Sequence, residues 1–283
     1  MISALNRLPN GNIELTITIP WKKVTAAYEK VLENLVKQTE IKGFRKGKAP
    51  KKLVEEKVGK ETLYEETIKD LIPQVYLEAI KEHKLQPVVN PQLKLTSAAW
   101  GKDWQIIATT CELPEVKLGD YRGEVRKVLA IEKIWVPGKD KKEKKPPSED
   151  KLAKIFKTLL ETCQIQVPEL LIEDEVNRML SRLIDQTARL GLTVEEYLNS
   201  QKKTTEELKK EYRQQAQQTL KLEFILSAIA DEQKIQVSDE EVEKMIRALP
   251  DEETKKEFQK PEQKLYLRYL LRKRQVIDSL SSL

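Results

Sequence analysis

The chain has 283 residues, room for one large domain or two ordinary ones, each able to bury a core. Charged residues make up 34% and aromatics 6%, with a net charge of +5, a composition that fits a helix-rich protein with a wet surface. It has no run of ~18 apolar residues and no charged leader followed by an apolar core, so a membrane partner is not expected and the expected address is cytoplasmic.

Residues 13–19, "IELTITI", alternate cleanly and predict a strand with one buried face. The turn signal Asn10–Gly11 makes residues 3–8 its candidate hairpin partner. From Trp21 to Gln38 the period becomes helical, with Val24, Ala27, Tyr28, Val31, Leu32 and Leu35 on one stripe. A glycine-containing loop ends that helix, and Pro50 suits the first turn of a short helix through Val58. A longer helix is predicted from Lys60 to Lys81, kinked or broken near Lys69 by Pro73. Segments 92–97 and 103–113 read as a hairpin that closes a small α+β domain over 1–115.

Residues 122–136 alternate loosely and read as an extended arm. Between Lys139 and Lys145 five lysines stand against Asp140 and Glu143, with two prolines following, the composition of a solvated linker. Arm and linker together occupy 116–149. Beyond them, 150–283 is helical in pattern. Leu152, Ile155, Phe156, Leu159 and Leu160 form one stripe, and Ile172, Val176, Met179, Leu180, Leu183 and Ile184 another. Thr193 with Glu196, and Ser238 with Glu241, read as capping boxes. A long helix is predicted over Thr205–Asp231 with Leu220, Phe224 and Ile225 buried, and a last one over about 262–280 carrying Leu265, Leu267, Tyr269 and Leu270.

No catalytic constellation can be assembled. His83 is the only histidine and reads as a solvated residue at a helix end. Cys111 and Cys163 lie far apart and read as small buried hydrophobes, a disulfide being possible only if the fold joins them. No metal-ligand spacing occurs, and neither metal nor cofactor is expected. The loop "GFRKGKA" has one residue too few between its glycines for a nucleotide P-loop, and lacks the following Ser or Thr.

That loop is nonetheless the most informative stretch. Residues 37–52 carry seven basic side chains against Glu40 alone, a field suited to RNA phosphates. Arg45 can fork onto a carboxylate or phosphate. Phe44 admits two readings: an apolar anchor for a partner's pocket, or a side chain folded back onto its own core. Gly43 and Gly47 permit the positive-φ geometry of an exposed tip.

The motif "GFRKGKAP" resembles the signature loop of the bacterial trigger factor family, ribosome-associated chaperones that meet nascent chains at the exit tunnel. The resemblance extends over most of the chain. Residues 1–115 resemble the family's ribosome-binding domain, and 150–283 its helical C-terminal domain, with "VPELLIEDEVNRML" and "GLTVEEYL" among the similar runs. It implies that Phe44, Arg45 and Lys46 dock on a ribosomal protein, that Gly43 and Gly47 shape the tip, and that Lys42 and Lys48 attract ribosomal RNA. It further implies a helical body with two arms that shields nascent or unfolded polypeptides without ATP. Family members also carry a prolyl isomerase domain on the order of 100 residues between these parts, which 116–149 cannot hold, so no isomerase activity is expected. Met179 and Met245 are the candidate client contacts, adaptable side chains that serve equally as core filling. The oligomeric state is open between a monomer and a weak homodimer. Two other readings compete: a free cytosolic holdase without productive docking, and an RNA-binding protein, which predicts steep salt dependence.

Overall fold

The computed structural model describes residues 2–45, 47–132 and 149–283. The chain divides into two units, one of Met1–Leu113 with Pro168–Leu171, the other of Pro114–Val167 with Ile172–Leu283.

In the first unit, β1 (Ile2–Arg7), β2 (Ile13–Ile19), β3 (Gln92–Ser97) and β4 (Trp104–Thr110) form an antiparallel sheet in the order β1-β2-β4-β3. The period-2 alternation places Ile13, Leu15, Ile17 and Ile19 on one face. Register sets them opposite Thr110, Ala108, Ile106 and Trp104 of β4. Val24 of α1 (Trp21–Gln38) and Leu71, Ile72, Val75, Tyr76 and Ala79 of α3 (Lys60–His83) complete this core. Between those helices lies α2 (Lys51–Val58). Pro73 does not interrupt α3. Its buried neighbours Leu71, Ile72, Val75 and Tyr76 hold both sides of the proline in the same core, which outweighs one lost helical hydrogen bond. Trp100, in the β3–β4 turn, is exposed, yet its ring lies 4.7 Å from that of Trp21 and 5.5 Å from that of Tyr28.

The β1–β2 turn closes with the Gly11 amide donating to the Leu8 carbonyl (3.1 Å). Gly11 sits at φ +80°, and a Cβ there would lie 3.1 Å from Pro168 Cα. Asn12 Oδ1 accepts from the Leu170 amide (3.0 Å), and the Asn10 carbonyl from Glu169 (3.1 Å). Both strain and crowding therefore act on Gly11→Ala. It is expected to destabilise this unit by about 1–3 kcal/mol, read as an earlier urea midpoint in tryptophan fluorescence.

In the second unit, β5 (Val116–Lys117) and β6 (Gln164–Ile165) pair as a short antiparallel ladder. The reading of 122–136 as an extended arm is overturned for the described residues: Tyr121–Glu132 is a helix, α4. Tyr121, Val125 and Leu129, one per turn, are buried. They pack with Ile155 and Leu159 of α5 (Glu149–Thr162), Ile225 and Ile229 of α8 (Thr205–Glu232) and Val276 and Leu280 of α11 (Pro261–Ser281). Asp120 starts the helix by accepting from the Gly123 amide (3.0 Å). The rest of the arm and the lysine linker, residues 133–148, lie outside the described residues.

The remaining helices are α6 (Glu169–Arg189), α7 (Val194–Ser200), α9 (Asp239–Arg247) and α10 (Glu252–Phe258). Thr193 and Ser238 form reciprocal capping boxes with Glu196 and Glu241 as their spacing predicts. Of three residues expected to be buried on α8, Ile225 is, while Leu220 and Phe224 are half-buried. Both cysteines are buried, and neither forms a disulfide among the described residues. Cys163 donates to the Leu118 carbonyl (3.3 Å), and burial pushes its thiol up to about 11.

Candidate functional site

The basic loop joins α1 to α2, and its stem is anchored at both ends. Ile41 and Ala49 pack into a cluster with Tyr28, Val31, Leu32, Val54 and Leu63. The Tyr28 hydroxyl donates to Glu55 Oε1 (2.9 Å); burial foremost, then this carboxylate, pushes its pKa up to about 12. Lys51 pairs with Glu33 (2.8 Å), and Lys57 Nζ donates to the Glu40 carbonyl. These contacts clip α2 to α1 and the stem, so the tip projects from fixed points.

Two successive turns make the tip. The Phe44 amide donates to the Ile41 carbonyl (3.0 Å), and the Lys48 amide to the Arg45 carbonyl (2.9 Å). Gly43 and Gly47 take the third position of each, at φ +90° and +81°. A Cβ on Gly43 would meet nothing and one on Gly47 only an ordinary contact, so backbone conformation rather than space calls for glycine. Phe44 is 44% exposed. Half-buried Ile41, not Phe44, packs against the core beneath, which decides between the two readings of the aromatic side chain.

Lys42, Arg45 and Lys48 are exposed and hold no ion pair among the described residues. Lys46 lies outside the described residues. An apolar ring amid uncommitted cations can bury itself in a partner while the charges meet carboxylates or phosphates.

Met245 packs at the edge of a cluster of Val237, Val242, Ile246 and Leu267, and Met179 is half-buried on α6. The larger exposed apolar surface lies elsewhere. Leu190 and Leu192 flank the α6–α7 turn at 73% and 43% exposure, and Leu265 and Tyr266 project from α11 at 61% and 53%. The sequence signal for Leu190 and Leu192 was Gly191 between them at a helix end, which reads equally well as an ordinary cap.

His83 is not a solvated side chain. It is half-buried, with Nε2 2.9 Å from Ser3 Oγ, while Ser3 Oγ donates to Glu82 Oε2 (2.7 Å). In a nucleophilic triad the carboxylate would orient the imidazole from behind; here it accepts the hydroxyl's hydrogen bond, so the trio is not arranged as a relay. Among the described residues no three His, Cys, Asp or Glu side chains converge on a metal position, and no helix is long and apolar enough to cross a membrane.

Comparison with known proteins agrees with the fold. Residues 1–140 match the family model described as bacterial trigger factor protein, and residues 140–282 the one described as its C-terminus. Trigger factor of Staphylococcus epidermidis is 43% identical over 119 residues, and that of Staphylococcus aureus 44% over 119. Each alignment covers 42% of this chain and 26% of the relative, so the chain matches about a quarter of those proteins' length. A solved structure described as "Promiscuous Substrate Recognition in Folding and Assembly Activities of the Trigger Factor Chaperone" superposes with a TM-score of 0.71. It covers 100% of this chain and 99% of that one at 15% identity, a likeness of fold. The two family models meet at residue 140 with no domain-sized stretch between them. The chain belongs to the bacterial trigger factor family, in a form whose N-terminal and C-terminal parts adjoin without an isomerase domain between them.

Proposed function

We propose that the protein is an ATP-independent holding chaperone that docks beside the ribosomal exit tunnel through residues 43–48 and shields apolar segments of nascent or unfolded chains. The observation that carries this reading is the loop: Phe44 stands exposed between two positive-φ glycines, on a stem anchored by Ile41 and Ala49, beside Lys42, Arg45 and Lys48, which hold no ion pair among the described residues. Phe44, Arg45 and Lys46 make the docking contact with a ribosomal protein, and Lys42 and Lys48 add attraction to ribosomal RNA. Clients are held by release of water from exposed apolar area, so no nucleotide is consumed and release follows as the client buries its own apolar segments. In this reading the protein works in the cytoplasm, partly on ribosomes, and without prolyl isomerase activity.

Two measurements test it. The protein is expected to pellet saturably with empty 70S ribosomes at moderate salt. It is also expected to suppress light scattering by a chemically denatured client without ATP. Pelleting that never saturates and vanishes as salt rises, with no suppression, favours an RNA binder instead.

A further inference from the structure

Across residues 21–58, two large apolar side chains stand exposed among the described residues: Phe44 at the tip of the basic loop, and Leu53, at 38%, on the first turn of α2. Leu53 is not needed to hold its helix. Val54 is fully buried and Val58 packs against the same cluster of Tyr28, Val31 and Leu32, while Leu53 stays out of it. The chain runs from the loop directly into this turn, where the Leu53 amide donates to the Pro50 carbonyl (3.0 Å). Leu53 and Lys57 lie four residues apart, on one face of α2. Lys57 Nζ donates to the Glu40 carbonyl, where the loop begins, so that face is turned towards the loop. Positive charge gathers there too. Lys48 and Lys52 are exposed and hold no ion pair among the described residues. Glu55 accepts from the Tyr28 hydroxyl, which leaves Glu56 as the exposed acid of α2.

We propose that Leu53 is a second apolar anchor of the docking surface. It seats on an apolar patch of the same ribosomal protein that takes Phe44, with Lys48 and Lys52 on carboxylates at the rim of that patch. The proposal rests on the docking reading and extends the contact from the loop tip onto α2. Its physical sense is orientation. A single side chain seated in a pocket leaves the unit free to pivot about it; a second apolar contact, on a helix, removes that freedom. Once Phe44 is seated, Leu53 meets its patch at a high effective concentration, so each contact strengthens the other.

The test is co-sedimentation with empty 70S ribosomes across a salt series, with Leu53→Ala, Leu53→Met and Leu53→Lys beside the parent. Leu53→Ala is expected to weaken binding about fivefold, as partial burial of a leucine side chain predicts. The loss should persist at high salt, because an apolar contact is not screened. Leu53→Met, still apolar, is expected to bind like the parent. Leu53→Lys discriminates most sharply: it adds a cation to a basic surface, which tightens a purely electrostatic attachment and weakens an apolar one. Leu77→Ala, at a more exposed leucine on α3, is expected to change nothing. All four substitutions fall at exposed side chains, so the circular dichroism melts should match the parent; an earlier melt of Leu53→Ala would give the side chain to the core and overturn the proposal. Parent-like binding by Leu53→Ala, tighter binding by Leu53→Lys, or an equal loss in Leu77→Ala overturns it as well. If the Phe44/Arg45/Lys46 triple-alanine variant still loses binding in that case, the docking reading stands; if it pellets like the parent, both fall.

Discussion

Replacing Phe44, Arg45 and Lys46 together with alanine is expected to weaken ribosome binding about a hundredfold. Burial of a phenylalanine side chain contributes about 1.5–3 kcal/mol, and hydrogen bonds from a charged group about 1.5–3 kcal/mol. Such contributions do not add fully at a single anchor, so about 3 kcal/mol in total is the reasonable expectation, close to two decades in affinity. Phe44→Ala alone should account for the larger share at high salt, because the apolar term is not screened. Arg45→Ala and Lys46→Ala should matter most at low salt. Co-sedimentation of parent and variants across a salt series reads all of this. Equal pelleting of parent and triple variant, fading together with salt, would mean that the basic surface acts without the loop's aromatic anchor. The tip is exposed and its stem is held by Ile41 and Ala49, so the triple variant should melt like the parent.

The second large effect is on stability. Val125→Asp should lower the melting temperature of the second unit by about 6–20 °C. An uncompensated buried charge costs about 3–5 kcal/mol, and each kcal/mol moves a unit of this size by about 2–4 °C. Val125 is fully buried with Ile155, Leu159, Ile225 and Val276. Arg126→Ala, one position along and exposed, should change little and serves as the control. An extended arm at 122–132 would leave both variants indistinguishable from the parent in differential scanning calorimetry.

The candidate site was legible because its signals are local. A glycine pair, an aromatic residue between them and seven cations against one acid need no knowledge of distant chain. What the sequence left open, whether Phe44 is outside or inside, turned on Ile41, whose packing against the core only the tertiary structure could reveal.

Where hydrophobic period and turn chemistry act within a few residues, the sequence by itself determined the outcome. It set β2 and α1 with their boundaries, α2 to within one residue at its start, the β3–β4 hairpin, and the capping boxes at Thr193 and Ser238. The tertiary structure decided what covers each apolar face. It made a helix of 121–132 by giving Tyr121, Val125 and Leu129 partners on α5, α8 and α11. It left Ile184 and Leu265 exposed although each lies among the apolar positions of its helix. It also drew His83 to Ser3 and set Pro168 against Gly11. Periodicity tells which side of an element is apolar. Burial depends on a second surface that can come from more than a hundred residues away, and no local pattern encodes its arrival.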